Sequence, residues 1–143
     1  MTRFALIVED DPILQKAMTR HLERMSFEVA GTHHYTAAIG HLAARRPHLV
    51  CVGLELPTQS GYELCEYIRG PLGLTGVPIL VTSHSGEAGE MACAEEAGAS
   101  AFLKKPFTMG QFTKYVEVLL LGETRRSAPH LRGLHLLRPA AQA

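Results

Sequence analysis

The sequence predicts a doubly wound α/β domain built on a five-stranded parallel sheet. Two observations predict it. Short apolar runs rich in strand formers, at residues 4–8, 27–31, 49–54, 77–82 and 101–104, alternate with segments of helical period, and every connection is short. The residues with the most chemistry, Glu9-Asp10, Thr82-Ser83 and Lys105, together with Gly53, all fall at the carboxyl ends of those runs. In an open parallel sheet that edge is where sites form.

The first run, Phe4-Ala5-Leu6-Ile7-Val8, has no polar alternation, which suits a strand buried on both faces. Asp11-Pro12 then reads as an N-cap followed by proline at the first helical position. Leu14, Met18, Leu22 and Met25 recur at helical spacing, so one face of this helix packs on the sheet. Residues 27–31 form a second, poorer strand. A helix over 35–46 carries Ala38, Ile39, Leu42 and Ala43 as its apolar stripe and stops at Pro47.

The third strand covers 49–54, and a helix over 61–69 turns Leu64, Cys65 and Ile68 inward. A turn-rich stretch over 70–76 leads into the fourth strand, 77–82, whose proline sits near its start, where one is tolerated. An alanine-rich helix over 86–97 is closed by Gly98. The fifth strand is 101–104, and Thr108 caps a last helix ending near Leu121. Right-handed crossovers place helices on both faces, and the flavodoxin-like order 2-1-3-4-5 is the expected winding.

Residues 1–121 read as this domain. From 122 to 143 the character changes, with Arg125, Arg126, Arg132 and Arg138 against one acid and Pro129, Gly133 and Pro139 between them. Leu131, Leu134, Leu136 and Leu137 suggest one short amphipathic turn. The segment reads as a basic tail or truncated linker, a mobile extension beyond the domain. A basic docking segment is the alternative.

Composition excludes several classes. The 143 residues carry 14 Lys plus Arg and 14 Asp plus Glu, with 46% apolar residues. Zero net charge offers no general attraction to nucleic acid or anionic membrane. No apolar run approaches the roughly 20 residues that span a bilayer. The first strand follows the N-terminus too closely for a signal peptide, so a cytoplasmic location is expected. Cys51, Cys65 and Cys93 form no C-x-x-C pair and read as small apolar residues in a reducing compartment. The adjacent His33-His34 reads as a solvated loop.

Taken together, Glu9-Asp10 after a buried strand, Leu56-Pro57 through Gly61, Thr82-Ser83, and Ala97-Gly98-Ala99-Ser100-Ala101-Phe102 leading into Lys105-Pro106 resemble the receiver domain of bacterial two-component response regulators. The resemblance covers about residues 4–121. It implies that Asp10 is a direct Mg²⁺ ligand and that Glu9 acts through water. Thr82 becomes the hydroxyl that bonds the phosphoryl group, Lys105 the lysine that neutralises it, and Phe102 the switching aromatic. It also implies a cis Lys105–Pro106 peptide and a backbone carbonyl ligand at Glu55.

Gly53 stands where that family carries the phosphoacceptor aspartate. A glycine cannot form an acyl phosphate, and the change also removes a metal-ligand carboxylate. The expectation is a pseudo-receiver, not an enzyme, with no cofactor or a weakly bound Mg²⁺. It would bind signalling proteins, a histidine kinase or a downstream effector, through the fourth helix, fifth strand and last helix, and a homodimer is also open. Neither nucleic acid nor membrane is expected as a partner. Glu55, two residues on along an extended strand, is the candidate to fill the vacated space and pair with Lys105. The alternative function is an active receiver that phosphorylates a nearby carboxylate such as Glu55.

Overall fold

The computed structural model describes residues 2–57, 59–122 and 133–137. Strand and helix alternate from β1 (Arg3–Val8), α1 (Pro12–Arg24), β2 (Phe27–Thr32) and α2 (Tyr35–Ala44) to β3 (Leu49–Gly53) and α3 (Gly61–Arg69). They continue through β4 (Ile79–Ser83), α4 (Ala88–Ala97), β5 (Ala101–Lys104) and α5 (Met109–Leu120). Five strands lie parallel in the expected order β2-β1-β3-β4-β5. A sixth, β6 (His135–Leu136), adds antiparallel to β5.

That sixth strand corrects the reading of the tail. Within the described residues 133–137, His135 and Leu136 pair with β5 in the sheet rather than forming a helical turn. Leu136 and Leu137 are buried there, each with a different apolar neighbourhood. Apart from Gly122, the rest of the predicted tail, Leu131 and the four arginines included, lies outside the described residues.

Local chemistry sets the element ends. The Asp11 carboxylate accepts from the Ile13 and Leu14 N–H groups at 2.9 and 3.3 Å, with Pro12 opening α1. Thr108 and Gln111 form a reciprocal capping box at α5. α2 ends at Ala44 rather than 46, because Arg45 is already extended ahead of Pro47. β4 starts at Ile79 rather than 77, since Pro78 has no N–H for the ladder.

Alternation along each strand divides the core into two layers. Leu6, Val8, Val50, Val52, Ile79, Val81 and Phe102 face α2, α3 and α4; Ala5, Ile7, Leu49, Cys51, Leu80, Ala101 and Leu103 face α1 and α5. Arg69 braces the first layer from within. Its guanidinium donates to the carbonyls of Gly98, Leu74 and Val77 at 2.9, 2.7 and 2.6 Å and to Ser100 Oγ at 3.2 Å. Gly98, at φ 106°, is where α4 turns off, and a Cβ there would lie 2.5 Å from Arg69 Cγ. Glycine serves both the left-handed cap and this close approach.

Candidate functional site

The carboxyl edge of the sheet gathers the predicted residues because β1, β3 and β4 are hydrogen-bonded neighbours, with β5 beside β4. Glu9 follows β1, Gly53 ends β3, and Thr82 lies opposite Gly53 in β4. Lys105 follows β5, and its N–H donates to Ser83 O at 2.7 Å. The Lys105–Pro106 peptide is cis, as the resemblance implied.

Glu9 is the centre of the site. It is 2% exposed, and its Oε1 lies 2.8 Å from Lys105 Nζ, itself almost wholly buried. The Thr82 hydroxyl donates to the same oxygen at 3.4 Å, and the Asp11 N–H donates to Oε2 at 2.9 Å. Gln15 adds a brace: its Nε2 donates to Glu9 O and Thr32 O at 3.1 and 2.9 Å, tying the ends of β1 and β2 together. The lysine and hydroxyl that would serve a phosphoryl group in a working site are thus both bonded to one carboxylate.

Gly53 makes room for this arrangement. A Cβ at position 53 would sit 3.0 Å from Glu9 Oε1 and 3.5 Å from Glu9 Cδ, tighter than ordinary van der Waals contact at the first of these. The Glu9 carboxylate therefore reaches into space that a side chain at 53 would contest. Gly53 does not adopt a positive φ, so the glycine is not demanded by backbone conformation. Gly61 is different: a Cβ there would meet Gly53 O at 2.6 Å and Val52 Cγ1 at 2.9 Å. The turn after Pro57 folds directly onto the end of β3, and only glycine permits that approach.

Glu55 does not pair with Lys105. It is exposed, and its Oε1 accepts from the His84 N–H at 3.0 Å in the loop after β4. The reason is backbone course. After Gly53 the chain leaves the strand, and Glu55 forms an isolated antiparallel bridge with Ser60, so the two-residue repeat of an extended strand no longer aims its side chain at the pocket. Asp10 is exposed beside the pocket, and Phe102 is fully buried in the layer facing α4. Sequence reasoning missed Gln15 and the capture of Lys105 by Glu9. The local signal for the second was the glycine itself, which vacates space that either neighbouring glutamate can claim in sequence terms.

The donor set does not fit a Mg²⁺ ion as arranged. Glu9 is already engaged by an ammonium, a hydroxyl and a backbone N–H, and Gly53 contributes no carboxylate. Among the described residues no group of three or more His, Cys, Asp or Glu converges to hold a metal. Below the site, burial first and the Glu9 charge second push the Cys51 thiol far above its ordinary value, so Cys51 stays a neutral core group.

Comparison with known proteins shows the family and the fold. The family model described as the response regulator receiver domain matches residues 5–117. The response regulator MprA of Mycobacterium tuberculosis is 29% identical over 126 residues, covering 87% of this chain and 51% of that protein. The KDP operon transcriptional regulatory protein KdpE of Escherichia coli is 30% identical over 124 residues, covering 87% and 54%. The chain thus spans about half the length of these curated relatives. Among solved structures, a response regulator from Chloroflexus aurantiacus superposes with a TM-score of 0.77 at 28% identity, covering 85% of this chain and 99% of that one. A CheY-like receiver domain protein from Methanospirillum hungatei gives 0.78 at 19% identity, covering 89% and 100%, a likeness of fold.

Proposed function

This chain belongs to the response regulator receiver domain family, and we propose that it acts in two-component signal transduction as a phosphorylation-independent protein-interaction module. Receiver domains are signalling modules rather than enzymes, and response regulators work with histidine kinases and effectors. The observation that carries the reading is the combination of Gly53 with the buried Glu9–Lys105 pair. The nucleophile is absent, and the groups that would stabilise a phosphoryl group are bonded to a carboxylate of the chain itself.

The same arrangement supports a single conformational state. In a working receiver the lysine and hydroxyl change partners when phosphate arrives; here both already have one within the chain, Glu9. As a class, receiver domains bind Mg²⁺ weakly. In this chain a cation would first have to draw Glu9 away from Lys105. The exposed, loop-anchored position of Glu55 weighs against its serving as an acceptor, since a nucleophile must start in line with the charge-stabilising groups. The proposed partner surface is α4, β5 and α5. Among the described residues no helix is long and apolar enough to cross a membrane, and a cytoplasmic setting accords with the family's partners.

The test is incubation of the unmodified chain with acetyl phosphate and Mg²⁺, followed by intact-mass analysis. No phosphoryl group should be gained. Base-labile label on a peptide containing Glu55 would overturn the reading in favour of an active receiver.

A further inference from the structure

β5 is the edge of the parallel sheet, with α4 and α5 on its two sides, and an exposed edge strand is a template for another extended chain. In this protein the template is occupied. Ala101 pairs with Leu136 and Phe102 with His135, and the Leu137 N–H donates to Ser100 O at 2.9 Å. The His135 N–H donates to Tyr115 Oη at 2.8 Å, which ties the strand to α5. Leu136 enters the core layer facing α1 and α5, while Leu137 enters the layer facing α4. Consecutive side chains anchor on opposite faces, as a strand requires.

The hold is nevertheless small. The strand is two residues long, and a hollow of about 270 Å³ remains between it and Met91, Ala92 and Glu95 of α4. Residues 123–132 link it to Gly122. Ten residues can reach roughly 33–36 Å fully extended, whereas the 12 residues of α5 rise only about 18 Å. The link is therefore long enough to deliver the segment to β5 of the same chain and to let it leave. A tethered ligand of this kind competes at an effective concentration in the millimolar range.

We infer that the β5 edge between α4 and α5 is a strand-accepting site, and that the chain's own Gly133–Leu137 segment is its removable occupant. The ligand class is an extended protein segment presenting a backbone N–H to Ser100 O and two successive apolar side chains, one to each core layer. The inference rests on reading this face as the partner surface. Its consequence is that a partner engages β5 only by displacing β6.

A fluorescent peptide spanning residues 131–138 tests this by anisotropy against the full chain and its Leu137→Pro variant. The substitution deletes the N–H that bonds Ser100 O while leaving the five parallel strands unchanged. The variant should bind the peptide at least tenfold more tightly than the parent. Equal binding by both would overturn the inference, as would no binding by a variant that keeps its circular dichroism. Exclusion of the peptide by a parent that elutes as a dimer, with a monomeric variant, would overturn occupancy by the same chain. Amide exchange on the unmutated chain gives an answer that needs no variant. The Leu137 N–H should be protected, yet exchange by local opening at least a hundredfold faster than the β1 and β3 amides. Exchange only by global unfolding, or no protection at all, would sink the proposal. Phosphodonor chemistry enters none of these readouts, so this inference and the proposed function fail separately.

Discussion

Gly53→Asp should convert the closed pocket into a phosphorylatable one, at a cost in stability that can be worked from the geometry. Sterically the demand is small. The new Cβ would lie 3.0 Å from Glu9 Oε1 and 3.5 Å from Val8 O, and the nearer atom is the end of a flexible side chain. A retreat of a few tenths of an ångström suffices, and φ at 53 is ordinary for an aspartate. The electrostatic demand is larger. Two carboxylates about 4 Å apart repel by roughly 4 kcal/mol at an effective dielectric of about 20. Lys105, 2.8 Å from Glu9, offsets part of this. A net loss of about 1–3 kcal/mol without divalent cation is expected, within the usual range for a point change in a buried site. Mg²⁺ at 100 times its dissociation constant would restore about 2.7 kcal/mol.

With acetyl phosphate and Mg²⁺, the aspartate oxygen should attack phosphorus, acetate should leave, and the intact mass should rise by one phosphoryl group. Positioning and charge stabilisation carry most of such a transfer, and Asp10, Thr82 and Lys105 are at hand to supply them. Shortening the crowded neighbour in Gly53→Asp/Glu9→Asp should recover part of the lost stability. Changing Glu55 should do nothing, since it is bonded to His84. Urea melts with and without Mg²⁺ and intact-mass analysis read all of these. A folded Gly53→Asp chain that gains neither Mg²⁺-dependent stability nor phosphoryl mass refutes the reasoning.

Two further outcomes concern buried ionisable groups. Glu9→Gln should cost about 3–5 kcal/mol in urea unfolding by leaving the Lys105 charge buried and unpaired, and Glu9→Gln/Lys105→Met should recover most of it; a single-variant loss below about 1 kcal/mol would contradict the buried pair. In alkali, burial pushes the Cys65 thiol up to about 12 from its ordinary 9.0, so the unfolded chain releases this proton first. Stability should be fully present below pH 9.0 and fall as pH rises from there toward about 12. The slope from this thiol is about 1.4 kcal/mol per pH unit, and Cys65→Ala should flatten the decline by that amount; identical slopes for the two chains would refute the assignment.

The strands, the helices and the winding were legible because their causes are local. Runs such as residues 4–8 and 49–54 are apolar on both faces, which only a doubly covered strand rewards. Asp11-Pro12 and Thr108 each satisfy N–H groups within a few residues of themselves. The site's location was legible for the same reason: once the strands are placed, Glu9, Gly53, Thr82 and Lys105 must share one edge. The absence of a carboxylate at Gly53 needed no structure at all.

Tertiary structure alone decided which carboxylate answers that absence. Glu9 and Glu55 flank the pocket from two different strand ends, and the sequence contains no term that ranks them. The ranking comes from where the backbone turns after Gly53 and from the 2.8 Å approach of Lys105 to Glu9 across the sheet. The fate of residues 133–137 was decided in the same way. Gly133-Leu134-His135-Leu136-Leu137 is too short to show a period, and its preference for a strand arises only from the bare edge of β5 and the two core layers that receive Leu136 and Leu137. Local propensity reports what a segment can become; a pairing partner far along the chain determines what it does become, because burial and hydrogen bonding are completed only when both are present.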